Sequence, residues 1–336
     1  MTLDEPAKSG KIAHRRIQEL LEEISLADSL GIDVFGLGEH HRPDYAVSSP
    51  AVILAAAAMI TKKIRLSSAV SVLSSDDPIR VFQDFAELDL VSDGRAEIMA
   101  GRGSFIESFP LFGYDLGDYD ALFDEKLRLL LAVNENSTVN WKGKLRPSIE
   151  NRGVYPRPLQ PKLPIWVAAG GTPDSAVRAA ALNLPLMLAI IGGSPQQFIS
   201  FINLYKNTWL HQGKKLSEIR FGVNNHLYVG TDSEKARSEF YPHYSKMMNR
   251  IGKERGWSAL SREQFERLCS PSGALMVGSV EEVSKKILYQ YKLFGFSRFM
   301  AQASVGTVPH EMTLRSIELF ASQVIPTVKQ ALQLQA

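Results

Sequence analysis

One junction recurs along this chain and limits its fold more than any other feature. An apolar run ends in glycine, a small hydroxyl or acidic residue follows, and a helical pattern begins. It reads Gly170-Gly171-Thr172-Pro173-Asp174-Ser175, Gly192-Gly193-Ser194-Pro195-Gln196-Gln197, Gly230-Thr231-Asp232-Ser233-Glu234 and Gly278-Ser279-Val280-Glu281-Glu282. Glycine allows the tight turn, Ser or Thr caps the new helix, and Pro fits its first turn. Gln197, Glu234 and Glu282 stand where capping boxes need them. Repeated strand–turn–helix units of this kind build a mostly parallel sheet covered by helices.

The rest of the chain keeps the same alternation. Ile17, Leu20, Leu21, Ile24 and Leu30 predict a helix over 12–30, closed by Gly31 before a strand at 32–37. Ser49-Pro50 opens a helix to about 62, and a strand over 64–73 follows. Asp77-Pro78 caps a helix to about 90, and Asp93-Gly94 turns the chain into a strand at 96–100. A helix is expected near 119–133, and strands at 165–169, 185–191, 221–229 and 298–304. Pattern alone thus supplies about seven strands, with Ala274 to Val277 as an ambiguous eighth. A length of 336 residues suits two domains or one (β/α)₈ barrel. No run is poor enough in hydrophobics to be a linker, so the expected architecture is one barrel domain over 1–336, with insertions at about 104–164 and 231–275. A doubly wound sheet is the alternative.

Composition narrows the function. Thirty-eight basic and 36 acidic residues leave a net charge of +2, and no basic cluster is interleaved with aromatics, which argues against nucleic acid. The single cysteine, Cys269, excludes an intrachain disulfide and a multi-thiolate metal site, and fits a reducing compartment. The longest apolar run, Ala51 to Ile60, is too short for a bilayer, and the polar opening MTLDEPAKSGK does not read as a signal peptide. A cytoplasmic protein with no membrane association is expected.

Active sites of such barrels lie at the C-terminal ends of the strands. The strand at 32–37 ends in Glu39-His40-His41-Arg42, a set able to hold and move a proton near neutral pH. A zinc site is the weaker option, since His40 and His41 are adjacent and no third ligand is evident. Gly101-Arg102-Gly103-Ser104 places a guanidinium among glycines, either as an anion contact or as a plain turn with a solvated Arg. The 170–175 junction offers backbone N–H groups and two hydroxyls to an anion, or is simply a capped helix start. Neither a GxGxxG nor a GxxxxGK[ST] fingerprint is present. His310 and Glu311 stand before the last helix.

The segments GIDVFGLGEHHRPDYAVSSP, SSAVSVLSSDDPIRVFQDFAELDLVSDGRAEIMAGRGS and PIWVAAGGTPDS, with the closing PHE, resemble the luciferase-like flavin monooxygenase family, in order over roughly residues 12–325. The resemblance implies a (β/α)₈ barrel that uses reduced FMN and dioxygen to oxidise a small organic substrate. It also implies a separate NAD(P)H-dependent flavin reductase as partner, and a homodimer formed through helices at about 50–62 and 78–92. By position, His40 matches the family's catalytic histidine, with Glu39 and His41 as its neighbours. Ala69-Val70 matches a non-proline cis peptide beneath the flavin. Arg102, Gly171, Thr172 and Ser175 match phosphate contacts, while Gly170, Ile190 and Gly192 line the flavin ring; no metal is implied. A deazaflavin-dependent reductase and a flavin-binding protein without turnover are the alternatives within the same superfamily. Family members open with a barrel strand, and here a polar lead-in stands in its place, so that first strand is expected to be missing. Ala274 to Val277 corresponds to a lead-in loop and is not expected to fill the gap.

Overall fold

The computed structural model describes Leu3 and residues 10–334. They divide into two compact units, one within Pro6–Ala168 and the other within Ala169–Ala336 together with Leu3. Both are α/β, with mostly parallel strands.

The first unit opens on helix α1, Gly10–Ser29, which buries Leu20, Ile24 and Ala27. Asp28, near its end, accepts hydrogen bonds from the N–H groups of Lys62, Lys63 and Ile64. Burial alone would raise its pKa, but these bonds and the charge of Arg95 outweigh it and hold the carboxyl below its usual range. Then come β1 (Val34–Leu37), α2 (Pro50–Ile60), β2 (Arg65–Ser68), β3 (Ser71–Val72), α3 (Pro78–Val91) and β4 (Ala96–Gly101). They are followed by α4 (Ser108–Phe112), α5 (Tyr119–Glu135), an antiparallel hairpin of β5 (Thr138–Trp141) and β6 (Ile149–Gly153), and β7 (Ile165–Ala169). Within this unit the parallel order is β1-β2-β4-β7, with Leu37 opposite Ser68, Leu66 opposite Ala96 and Ile98 opposite Ile165. The expected strand over 64–73 is two short strands separated by Ala69-Val70, whose peptide bond is cis.

Asp77 caps α3 as expected, accepting from the N–H groups of Ile79 and Arg80. The run from Asp89 to Glu97 after it is a structural clasp. Arg95 donates to the carbonyls of Ala58, Thr61, Ile64 and Ser92, tying up the C-terminal end of α2. Asp89 accepts from Ala96 N–H and from the backbone and side chain of Gln160. Helix-terminal carbonyls have no partner within their own helix, so a guanidinium suits this role.

The second unit holds α6 (Pro173–Ala181), β8 (Leu186–Ala189), α7 (Ile199–Leu210), β9 (Phe221–Gly230), α8 (Ser233–Arg255), α9 (Arg262–Cys269), β10 (Met276–Ser279), α10 (Val280–Phe294), β11 (Arg298–Gln302), α11 (His310–Leu319) and α12 (Ile325–Gln333). The long strand β9 organises it: β8 and β11 pair with its first half and β10 with its second, all parallel. Residues 274–277 are thus not a lead-in loop. Met276–Ser279 is a strand in register with Leu227–Gly230, and its burial explains the short apolar run.

Three caps also differ from expectation. Asp232, not Thr231, caps α8, and neither Thr172 nor Ser194 makes a side-chain bond to the backbone of the helix that follows. Residues 231–275 are largely the helices α8 and α9, packed around Phe240, Tyr244, Phe265 and Cys269. The missing first strand concerns residues 1–9, of which Leu3 alone is among the described residues.

Candidate active site

In the first unit, three chain segments meet where β1 ends. Ala69 N–H donates to Leu37 O at 2.7 Å, Glu39 N–H to Val70 O at 3.3 Å, and Leu73 N–H to Gly101 O at 3.0 Å. Such an approach leaves no room for side chains. A Cβ on Gly38 would lie 3.1 Å from Ala69 O, and one on Gly101 would lie 2.6 Å from Val70 Cγ2. The sequence supplies glycine at both places, and Val70 fills the space between the ends of β1 and β4.

Glu39 spends both carboxylate oxygens inside this knot. One accepts Val72 N–H at 2.8 Å, and the other sits 2.8 Å from His41 Nε2. Both side chains are nearly buried, which strengthens the pair. Asp76 nearby is raised to about 6, first by burial and then by the charge of Glu39. Lys126 is lowered to about 8 by burial, donates to Ser74 O and lies 3.7 Å from the centre of the Tyr114 ring.

His40 has a different environment. Its ring stacks on Tyr45 and is tilted against Phe105. Its Nδ1 is buried with no hydrogen-bond partner among the described residues. Burial holds its pKa well below 6.5, and the positive charges of His41 and Arg42 push the same way. Histidine neutral at physiological pH, with a nitrogen unspent on the protein, is the result. Phe105 is held over it by Arg42, whose guanidinium lies 4.4 Å from that ring and pairs with Asp44 and Glu107. Phe112 meets His41 edge-on. Arg102, at the end of β4, pairs with Asp120 and lies over Tyr119, both on α5.

In the second unit, the junction after β7 carries the remaining candidates. Gly171 has φ +108°, a conformation that favours glycine, and a Cβ there would meet the Phe198 ring at 2.9 Å. Thr172 is the N-cap residue of α6, but its hydroxyl does not cap the helix. It lies 2.7 Å from the Ser175 hydroxyl, so two hydroxyls converge at the helix N-terminus. Around Gly170 and Gly192 there is open space: a Cβ at either would touch nothing within 4 Å. Ile190 is buried, and Asn225 Nδ2 donates to both Ile190 O and Ala274 O, clasping the end of β8 to the start of β10.

Sequence reasoning passed over Tyr45, Phe105 and Asn225. Tyr45 and Phe105 each lie within four residues of a motif that was singled out, and such nearby aromatic rings were the available signal. Asn225 gave none beyond a polar residue in an apolar run.

The family sequence model described as luciferase-like monooxygenase matches residues 2–298. The chain belongs to the luciferase-like monooxygenase family. Among solved structures, this luciferase-like protein is similar to the monooxygenase RslO1 from Streptomyces bottropensis, at 26% identity, 94% of each chain covered and a TM-score of 0.81. It also shares the fold of the oxygenating constituent of 3,6-diketocamphane monooxygenase from Pseudomonas putida, solved with FMN, at 18% identity, 96% and 95% covered and a TM-score of 0.76. The F420-dependent tetrahydromethanopterin reductase of Methanopyrus kandleri has this fold as well, at 19% identity, 92% and 95% covered and a TM-score of 0.72. Luciferase-like proteins of this kind are oxidoreductases.

The residues of this luciferase-like chain suit a flavin mononucleotide chemically. In the second unit, the converging hydroxyls at the helix N-terminus are donors for a phosphate monoester; in the first, the guanidinium at the end of β4 is a donor of the same kind. In the second unit, open space at Gly170 and Gly192 leaves room for a flat ring; in the first, the buried His40 Nδ1 is a polar atom with no hydrogen-bond partner among the described residues. Among the described residues no group of three or more His, Cys, Asp or Glu could hold a metal, and no helix is long and apolar enough to cross a membrane.

Proposed function

We propose that this protein is the oxygenase component of a two-component flavin monooxygenase, taking reduced FMN from a separate reductase and inserting one oxygen atom of dioxygen into a small organic substrate. The observation that carries the reading is His40, a neutral imidazole caged by Tyr45 and Phe105 with Nδ1 unspent, in a chain whose family is that of flavin-dependent monooxygenases. Within the second unit Thr172 and Ser175 are donors for the phosphate; within the first, Arg102 is a guanidinium of the kind that suits a phosphate. In the second unit Gly170, Ile190 and Gly192 border the space for the ring; in the first, Ala69-Val70 is the cis peptide expected beneath a flavin. Bound reduced FMN supplies the electrons that activate dioxygen.

The protein's part is positional. Glu39 fixes His41 and the Val72 backbone, so β1 and β3 cannot drift. His40, uncharged at neutral pH, offers a hydrogen bond to a polar atom in the site without adding charge. Phe105 and Tyr45 keep water from that nitrogen, which strengthens any bond it makes. The match to one family over most of the chain supports one barrel domain. The exposed apolar residues Val52, Met59 and Ile60 on α2 and Leu90 and Val91 on α3 support a homodimer through those helices.

The test is to load the protein with reduced FMN and mix it rapidly with oxygenated buffer. Flavin oxidation slower than in free solution, in more than one phase, is expected. Oxidation in a single phase at the rate of free reduced FMN sinks the reading. Likeness to the F420-dependent reductase favours a second reading, hydride transfer from a deazaflavin. Tight retention of F420 with none of FMN selects it.

A further inference from the structure

The second unit contains a cleft of about 680 Å³ that none of the roles above uses. That volume is typical of small-molecule sites. One wall is Gly193 and Ser194, directly after Gly192; the other is the end of α8, the linker behind it, and α9. The cleft floor is apolar: Met248, Leu260 and Leu268 form the outer layer of the cluster around Phe240, Tyr244 and Phe265. Trp257 projects beside them and is 51% exposed, with the Arg255 guanidinium 5.2 Å from its ring centre. Gly256, with φ +69°, ends α8 and turns the chain so that Trp257 N–H bonds back to Gly252 O.

The polar lining has a single sign. Among the described residues that line the cleft, Arg267 is the one ionisable group; the others are serines, a glutamine and backbone. It pairs with Glu263, a surface residue at 83% exposure. Such an exposed pair holds weakly, so the guanidinium is available to another anion. A second cation stands behind the same wall. Lys286 is buried and donates to the carbonyls of Cys269, Ser270 and Leu275, and Ser270 lines the cleft. The turn between is closely packed: a Cβ on Gly273 would fall 2.1 Å from Leu268 O.

The wall is also tied to the redox side. Ala274 N–H donates to Gly193 O, and Asn225 joins Ala274 to Ile190. We propose that this cleft binds the substrate, and that the substrate is a flat apolar molecule carrying one carboxylate, its ring lying on Trp257 and its carboxylate on Arg267. The word substrate rests on the oxygenase reading, but the binding itself does not.

The experiment titrates the flavin-free full chain with 2-naphthoate and with 2-naphthylmethanol, a neutral molecule of similar size, by calorimetry. FMN binding is measured separately on each variant, and circular dichroism confirms folding. Naphthoate is expected to bind about tenfold more tightly than the alcohol. Arg267→Gln, at an exposed position, is expected to abolish that preference and keep the alcohol's affinity. Trp257→Ala is expected to weaken both ligands about tenfold, and Trp257→Phe to restore most of the loss. Equal affinity of the two ligands for the wild-type protein, or a preference that survives Arg267→Gln, overturns the proposal. Naphthoate binding with these dependences in a protein that holds no FMN supports the cleft and defeats the oxygenase reading alone.

Discussion

The imidazole of His40 lies flat on the phenol ring of Tyr45, with 4.0 Å between centroids and 11° between planes. The stack covers one face of the imidazole, and burial keeps the histidine neutral. Tyr45→Phe preserves the ring and is expected to leave His40 as it is. Tyr45→Ala lets water reach the imidazole, and its pKa is expected to rise toward 6.5, read by NMR titration of the ring protons. His40→Asn is expected to cut turnover about a hundredfold or more while FMN still binds. An unchanged rate removes His40 from the chemistry.

A second buried histidine makes stability depend on pH. His226 on β9 is fully enclosed, meets Tyr244 edge-on, and is lowered to about 4 by burial. Its folded pKa is below its unfolded value of about 6.5. Between those two values the unfolded chain carries a proton that the native one lacks, so stability falls as pH drops through that window. The loss reaches about 3 kcal/mol near pH 4. Denaturant melts across that range, compared between wild type and His226→Leu, measure it. An equal slope in both excludes His226 as the source.

Arg95 is expected to matter for folding and not for chemistry. It satisfies four carbonyls, those of Ala58, Thr61, Ile64 and Ser92. Arg95→Ala leaves them without their donor and is expected to cost about 2–4 kcal/mol of stability, seen as a lower urea midpoint. FMN affinity, measured below that midpoint, is expected to hold.

Arg102 pairs with Asp120, whose side chain is 70% exposed. A carboxylate in that place competes with a phosphate for the same guanidinium. Asp120→Asn is therefore expected to tighten FMN binding by about threefold, and Arg102→Gln to weaken it about tenfold. Riboflavin, which lacks the phosphate, is expected to respond to neither change. Fluorescence titrations with the two flavins read both arms.

Much of this was legible in the sequence because it follows from local chemistry. Gly170 to Ser175 announced a strand–helix turn, and Asp77-Pro78 announced a cap, because glycine, proline and acidic side chains act on their immediate neighbours. Glu39-His40-His41 stood out because ionisable residues seldom follow a buried strand, and the structure shows Glu39 bonded to Val72 and His41. What sequence left hidden depends on distant partners. Met276–Ser279 is a strand only because β9 offers it an edge. Tyr45 and Phe105 reach His40 from different parts of the chain, with Arg42 packed on Phe105 and paired with Glu107, and Trp257 shares a cleft with residues of α9.

Gly170 and Gly192 stand in contrast to Gly101. The last is demanded by the chain itself, whose own Val70 would be struck by any side chain there. The first two are not: a methyl group at either would meet no atom of the protein. Alanine at 170 or 192 would therefore be silent to folding and, on the proposed function, audible only to a guest, so these two positions would separate what the molecule needs in order to exist from what it needs in order to work.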